Sequence, residues 1–350
     1  MAGEKDIVCL SLPLTAGVAV GVLIPASPSV ALICAAVLGA VMAFCIFMQK
    51  RTVAPYSLLY FATGLFIGAS GSLLPLSEGF SPAEDARIWL SARIESLGFE
   101  SPVTANMAKA LALGMKDGLG RDVVALFRES GTSHILALSG LHLGIFYLCL
   151  SKLLWPFGRG PAGSVVKSVL IMLAAIFYVL IAGGSASLSR ALIFIILREI
   201  SRLLHRDVPL VRIFFSALMI QLILRPSEIL APGFQLSYMA VAGIVLLFPE
   251  MKAWYPDDGL RGDPLRYLWQ AASLTISCQL FTSPVAWAHF GTFPSNFLLA
   301  NILALPLSTV ITALSMAITL LAAAGCCPQF MLQAADSLTF LLLDILRFIA

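Results

Sequence analysis

Runs of apolar residues near the length that crosses a bilayer follow one another through almost the whole chain. A bilayer core takes a helix of about 17–25 predominantly apolar residues. The first three runs cover residues 7–25, 30–48 and 56–74. After a polar interval come 135–155, 168–181, 191–204, 213–224, 234–248, 268–287, 297–321 and 331–350. Only 12% of the residues are charged, with 59% hydrophobic and a mean hydropathy of +0.94. A soluble domain carries roughly 25% charge, so this chain lacks the charge to coat a water-facing surface. The runs are apolar all round instead of striped, which argues against one large soluble helical core. The expected fold is an all-α polytopic transmembrane bundle of about ten or eleven helices. Some of these are short or broken, and a small external or interfacial helical segment joins them. The run at 7–25 has no small-residue cleavage site before a polar mature start, so it reads as a first span and not a signal peptide.

Three parts are expected: N-terminal membrane helices over 1–75, external or interfacial amphipathic helices over 76–130, and a membrane domain over 131–350. The middle part is different in kind. It holds Glu84, Asp85, Arg87, Arg93, Glu95, Glu100, Lys109, Lys116, Asp117, Arg121, Asp122 and Arg128, with turn signals at Ser81-Pro82, Ser101-Pro102 and Asp117-Gly118. Within it Ile88, Trp89, Ile94 and Leu97 recur at helical spacing, as do Met107, Leu111 and Leu113. Gly183 to Ser187 and Ala231-Pro232-Gly233 look like helix breaks. Broken backbone at membrane depth survives only where protein or water satisfies its polar groups, so the breaks favour a solvated cavity. Lys5, Lys50, Arg51, Lys152, Arg159, Lys167, Arg198, Arg202, Arg206, Arg212, Lys252, Arg261 and Arg266 fall on one side if each run crosses once. That side is expected to be cytoplasmic, with 81–128 outside. The net charge of +3 says little beside this placement.

Chemistry-bearing residues are few. Cys9, Cys34, Cys45, Cys149 and Cys278 sit in apolar runs as small hydrophobes, and Cys326 and Cys327 are adjacent. No cysteine or histidine spacing matches a metal site, so neither metal nor cofactor is expected. The stretch from Gly131 to His142 stands apart, because two imidazoles (His134, His142) and three hydroxyls enter an apolar run. Such groups face the protein interior or water. On a helix Ser139 and His142 would share a face, and Gly140 with Gly144 would allow a second helix to approach closely. One reading is a polar lining or gate; the other is a buried histidine bonded to a neighbouring helix. A Ser139/His142 hydrolase has no acidic third member in view, so no catalytic residue and no enzyme activity is expected.

This stretch resembles the "GTSHLLALSGLH" hallmark of the ComEC family of DNA-uptake proteins. Upstream, Ala110 to Gly114, Gly118-Leu119 and Leu126-Phe127-Arg128 resemble the approach to that hallmark. Downstream, the segment from Ser187 to Ala191 resembles the family's Ser-x-x-Arg-Ala element, and Pro232 to Tyr238 resembles its "PGFQLSF" element. His289 to Phe293, then Asn301 and Pro306, resemble its late element. The resemblance runs over roughly 105–350 and covers the membrane domain only. It implies a channel in the bacterial inner membrane, multi-pass, that carries single-stranded DNA inward during natural competence and transformation. It also implies partners: DNA, the bilayer, separate DNA-uptake proteins and a motor, with a homo-oligomer left open. The family's metallo-β-lactamase-like nuclease and OB-like domains have no counterpart in this sequence, so either a minimal member or a truncated one without activity is expected. No Walker sequence is present to couple ATP. A small-solute or ion transporter is the alternative, but acids within the runs are scarce.

Six residues are candidates for the channel lining or for DNA contact: His134, Ser139, His142, Arg190, Gln235 and Asn301. Arg190 stands beside a Gly/Ser-rich break, where a guanidinium suits phosphate or ties two helices together. Gln235 and Asn301 can equally bond helix to helix. Phe234, Tyr238, Phe290 and Phe293 can stack bases or simply pack.

Overall fold

The computed structural model describes residues 2–23, 53–70, 81–158, 160–255, 264–291 and 296–350, with isolated positions between 33 and 40. The expected span at 30–48 lies otherwise outside the described residues. Every regular element described is helical, and there is no strand among the described residues.

The first two helices, α1 (Ala2–Leu23) and α2 (Val53–Ser70), meet backbone to backbone. A Cβ built on Gly17 would lie 2.1 Å from the Phe61 carbonyl oxygen, and one on Gly64 2.2 Å from that of Leu14. On Gly21 and Gly68 the distances are 2.4 and 2.5 Å. Only glycine fits at such separations. The two Gly-x-x-x-Gly pairs supply the close approach that drives helix pairing in lipid, where the hydrophobic effect is absent. Residues near the start of one helix meet those near the start of the other, so the pair runs parallel, as the first and third of successive crossings do. Leu14, Val18 and Ile67 then pack on Phe214, Phe215, Leu218 and Leu222 of α10 (Leu210–Leu224).

The polar segment forms α3 (Ser81–Glu95), α4 (Pro102–Leu113) and α5 (Arg121–Glu129). Ser101 starts α4 by accepting the Val103 N–H, with Pro102 in the first turn, where its missing N–H costs nothing. Gly114 ends it at φ 75. The apolar residues of α4 turn inward: Met107 and Leu111 pack with Ala304 and Ile311 of α14 (Phe297–Ala323) and with Leu342, Leu343 and Leu346 of α15 (Gln329–Ile349). Lys109 is carried into this packing because Glu95 pairs with it at 2.5 Å. Asp336 of α15 accepts the Glu100 N–H at 3.0 Å, just ahead of α4.

The expected span at 135–155 is in fact split. A single turn, α6 (Ser133–Leu136), is separated by extended backbone from α7 (Gly140–Leu153). After it come α8 (Pro161–Ile181) and α9 (Ala186–Leu203). On α8, Ile171, Ala175 and Val179 are buried while Val169, Leu173 and Phe177 are exposed, so both faces are apolar, as suits a helix with lipid on one side. Lys167, expected near a loop, is buried within α8. Then come α11 (Pro232–Leu246), α12 (Phe248–Ala253) and α13 (Pro264–Phe290). Gly243 of α11 would place a Cβ 2.3 Å from the Ser277 carbonyl oxygen of α13. The break expected at Ala231-Pro232-Gly233 begins earlier, with the 3-10 turn Pro226–Leu230, and ends at the extended Ala231; Pro232 and Gly233 already belong to the first turn of α11. Proline is at home there because a first-turn N–H has no helical partner to lose.

Among the described residues three stretches are long and apolar enough to cross a membrane: Ala162–Ile181, Pro232–Ala253 and Phe297–Ala323. The apolar helices Ile7–Leu23, Ser57–Ser70, Gly140–Leu153 and Leu210–Leu224 are shorter. The chain is an all-α helical membrane protein.

Candidate functional site

Three helices begin close together, each after a break, and most of the polar residues singled out in the sequence lie at those beginnings. The first break follows α5. Gly131 turns the chain at φ 75, and the buried Ser130 and Thr132 hydroxyls lie 2.8 Å apart. Thr132 anchors its N–H on the Phe127 carbonyl at 2.8 Å. After α6 the backbone extends through Ala137 to Ser139, which caps α7. Its Oγ accepts the Leu141 N–H at 3.2 Å, and its own N–H donates to His142 Nδ1 at 3.2 Å. This is a capping box with histidine where Glu or Gln usually stands. Ser139 and His142 therefore meet, but not along a helix face: Ser139 stands outside the helix as its cap. Because Nδ1 accepts, the neutral ring carries its proton on Nε2. That nitrogen is buried and has no partner among the described residues.

The second break lies between α8 and α9. Gly183 and Gly184 both take positive φ, 81 and 58, which side chains resist. Ser185 caps α9 and donates its hydroxyl to the Leu138 carbonyl at 3.5 Å, tying the second break to the first. One turn into α9, Arg190 is only 7% exposed. Its guanidinium rests against the start of α7, where a Cβ on Gly140 would be 3.3 Å from Nη2. The other face lies 5.5 Å over the Tyr238 ring of α11. Nη2 donates to Ser187 Oγ at 3.4 Å, while Nη1 is buried with no partner among the described residues.

The third beginning is that of α11. Ser237 Oγ lies 3.2 Å from Ser187 Oγ. The Tyr238 hydroxyl donates to Gln221 Oε1 at 2.9 Å, and Gln221 Nε2 donates to Glu228 at 2.6 Å. Gln235 donates to the Ile229 carbonyl at 2.9 Å, and its Oε1 lies 2.9 Å from His289 Nε2.

The electrostatics are one-sided. Burying a charge costs several kcal/mol. A cation–π contact returns about 2 kcal/mol when desolvated, and one long hydrogen bond adds little. No carboxylate pairs with Arg190 among the described residues; Glu228 is taken by Arg225 at 3.0 Å. The starts of α7 and α9 add positive helix ends. Arg87 of α3, whose Nη2 is paired with Glu84 at 2.7 Å, reaches the Gly183 turn, where a Cβ would be 3.3 Å from its Nη1; its Nε is buried with no partner among the described residues. Exposed Lys116 lies within electrostatic reach of the His142 ring.

The structure thus gathers Ser139, His142 and Arg190, and brings in Gln235 through its helix neighbours Ser237 and Tyr238. His134 is exposed on α6 with its ring toward the Gly131 backbone, and among the described residues it makes no hydrogen bond to Ser139, His142 or Arg190. Asn301 stands on α14 with Oδ1 buried and unpartnered, joined to the cluster by no hydrogen bond among the described residues. Gly140 is at a close contact as expected, but Gly144 has nothing within 4 Å of an added Cβ. Phe234 and Tyr238 are buried, with ring centroids 4.6 Å apart, so they pack in the core. Phe290 is exposed, and Phe293 lies outside the described residues. Arg87, Lys116, Gln221 and Glu228 were not singled out for the site from sequence. A polar Gln221 within the apolar run 213–224 was the available signal.

The profile of the family described as "Competence protein" matches residues 111–350. ComE operon protein 3 of Bacillus subtilis is 24% identical over 211 residues, 59% of this chain and 25% of its own length. The E. coli protein named Uncharacterized protein YcaI is 26% identical over 212 residues, 59% of this chain and 28% of its own. Recombination protein 2 of Haemophilus influenzae is 24% identical over 209 residues, 57% of this chain and 26% of its own. The chain therefore spans about a quarter of the length of these relatives. No solved structure matches it. With more than half of its residues matched by one family, the chain belongs to the competence protein family.

Proposed function

We propose that the chain forms a membrane channel for DNA uptake, carrying single-stranded DNA inward across the bacterial inner membrane as a multi-pass protein. The observation that carries this reading is the convergence of three broken-helix beginnings around cationic and donor groups left without acceptors. Irregular backbone at membrane depth needs a polar surrounding, and unmatched donors suit a polyanion. Lys152, Lys167 and Arg202 lie toward the far ends of α7, α8 and α9 from this site. By the positive-inside rule that far end is cytoplasmic, so the site faces outward, where DNA arrives. Movement then needs a separate motor and partner uptake proteins. We assign the chain no catalysis: Ser139 and His142 work as a helix cap, and a covalent serine probe is expected to leave Ser139 unlabelled.

The test is electrical. The full chain in a planar bilayer should show conductance steps that oligothymidylate blocks transiently, with block duration rising with strand length. A duplex of equal length should not enter. Absence of conductance, or conductance indifferent to single strands of every length, overturns the reading. A small-solute or ion transporter would instead show flux that DNA leaves unchanged.

A further inference from the structure

We propose that α3 is seated in a headgroup layer of the bilayer, with the Trp89 ring at the acyl boundary and Arg93 on a lipid phosphate. The seat rests on the membrane character of the fold and not on how DNA moves. Its level comes from α8. The apolar stretch Ala162–Ile181 has 20 residues, which at about 1.5 Å per residue matches the roughly 30 Å of a hydrocarbon core. Val169, Leu173, Phe177 and Leu180 keep its outward side apolar along that length. One boundary of the core therefore falls near Ile181. The other falls near Ala162, where Trp155, just ahead of α8, is 64% exposed, as an interfacial tryptophan is. α3 lies at the Ile181 boundary. Its Ala86, Leu90 and Ile94 pack in one cluster with Tyr178 and Ile181, and Arg87 reaches the Gly183 turn just past the end of α8.

The side of α3 turned away from that packing carries the chemistry. Trp89 is 47% exposed, and Arg93, exposed one turn on, holds its guanidinium carbon 5.4 Å from the ring centroid. Residues four apart share one flank of a helix. Glu84 and Glu95 stand on the far flank, and both are taken, by Arg87 and by Lys109. Arg93 pairs with no carboxylate among the described residues. A half-exposed apolar ring thus carries an uncompensated cation at the depth where apolar and polar layers meet. An indole favours that layer because its ring is apolar while its N–H wants a polar partner. A guanidinium there finds phosphate, which it can grip with two donors. Lipid is the occupant because it already covers α8 beside the pair, on the exposed side of Leu173, Phe177 and Leu180.

The test reads Trp89 in the full chain. Wild type and Trp89→Phe are placed in phosphatidylcholine nanodiscs, and the difference between their emissions reports Trp89. Phenylalanine keeps an aromatic ring at this exposed position and leaves the core alone. Bromine carried high on the acyl chains should quench the difference strongly, bromine near the chain ends weakly, and iodide in the water little. Discs that mix brominated phosphatidylglycerol into phosphatidylcholine measure which lipid sits beside Trp89. Phosphatidylglycerol should be enriched there by up to about fivefold, the worth of one basic residue at an anionic surface. Arg93→Gln should abolish the enrichment and keep the melting temperature, since Arg93 is exposed. Oligothymidylate should leave the Trp89 emission unchanged. Quenching by iodide without quenching by bromolipid puts Trp89 in water and overturns the seat. Quenching by oligothymidylate in place of bromolipid gives the face to nucleic acid, and protection from all three gives it to a second copy of the chain; each overturns the proposal. Enrichment that is absent from wild type, or unchanged in Arg93→Gln, overturns Arg93 as the phosphate ligand.

Discussion

A carboxylate with no solvent contact survives in an apolar helix only when its oxygens are fully taken up. Glu199 meets that condition: it accepts from the Tyr147 hydroxyl at 2.7 Å, the Ser168 hydroxyl at 2.6 Å and Arg202 at 3.0 Å, tying α7, α8 and α9. Breaking a buried pair costs roughly 3–5 kcal/mol. Arg202 keeps 46% of its side chain exposed, so Glu199→Gln should cost at or below the low end of that range, read as a lower melting temperature in detergent. Glu199→Leu should cost more, because it strands two hydroxyl donors at once. At the other end of these helices, Ser139→Ala removes the cap of α7 and should cost about 1 kcal/mol, with Ser139→Thr close to neutral. A serine that acted as a nucleophile would instead show its loss in activity and not in stability.

At the scale of elements, the parallel α1–α2 pair depends on what its glycines lack. Even one methyl at Gly64 would stand 2.2 Å from a backbone oxygen, which forces the helices apart and forfeits dispersion contacts along the whole seam. Gly64→Ala should therefore lower abundance and melting temperature clearly, and Gly64→Ile should prevent stable assembly. Gly144→Ala is the control: nothing lies within 4 Å of its added Cβ, and alanine favours helix by about 1 kcal/mol, so stability should hold or rise. Equal effects of the two alanines would contradict the packing. The breaks obey a different rule. Gly183 and Gly184 hold positive φ, so Gly184→Ala is strained although nothing crowds its side chain.

For the whole molecule, the orientation is open to direct measurement. With native cysteines replaced, Asp117→Cys sits on an exposed loop and should react with an impermeant maleimide in intact cells. Reaction only after lysis would reverse the topology. Glu95 is a poorer site for the probe, since its loss would leave the largely buried Lys109 unpaired. The membrane character, the helical class, the odd polar stretch at Gly131 to His142 and the family resemblance were all legible in the chain alone. Each is a pattern along one dimension: run length, residue type and local order. Even the Ser139–His142 contact is local, and sequence erred only in placing both residues on one helix face, because a cap and an interior position share the same spacing. What tertiary structure decided is which breaks meet. Ser185 reaches Leu138 across 47 residues and Ser187 reaches Ser237 across 50. Arg190 was visible as a charge at a break, but its burial against Gly140, its stacking on Tyr238 and its want of a counter-charge arise only when three helices close around it. The same holds for the two Gly-x-x-x-Gly pairs, whose meaning depends on a partner backbone that no single segment specifies. Sequence thus determined the solvent this chain folds in, because burial in lipid is set by composition along each segment. Structure alone decided where its uncompensated charge sits, because that depends on which distant groups fail to arrive.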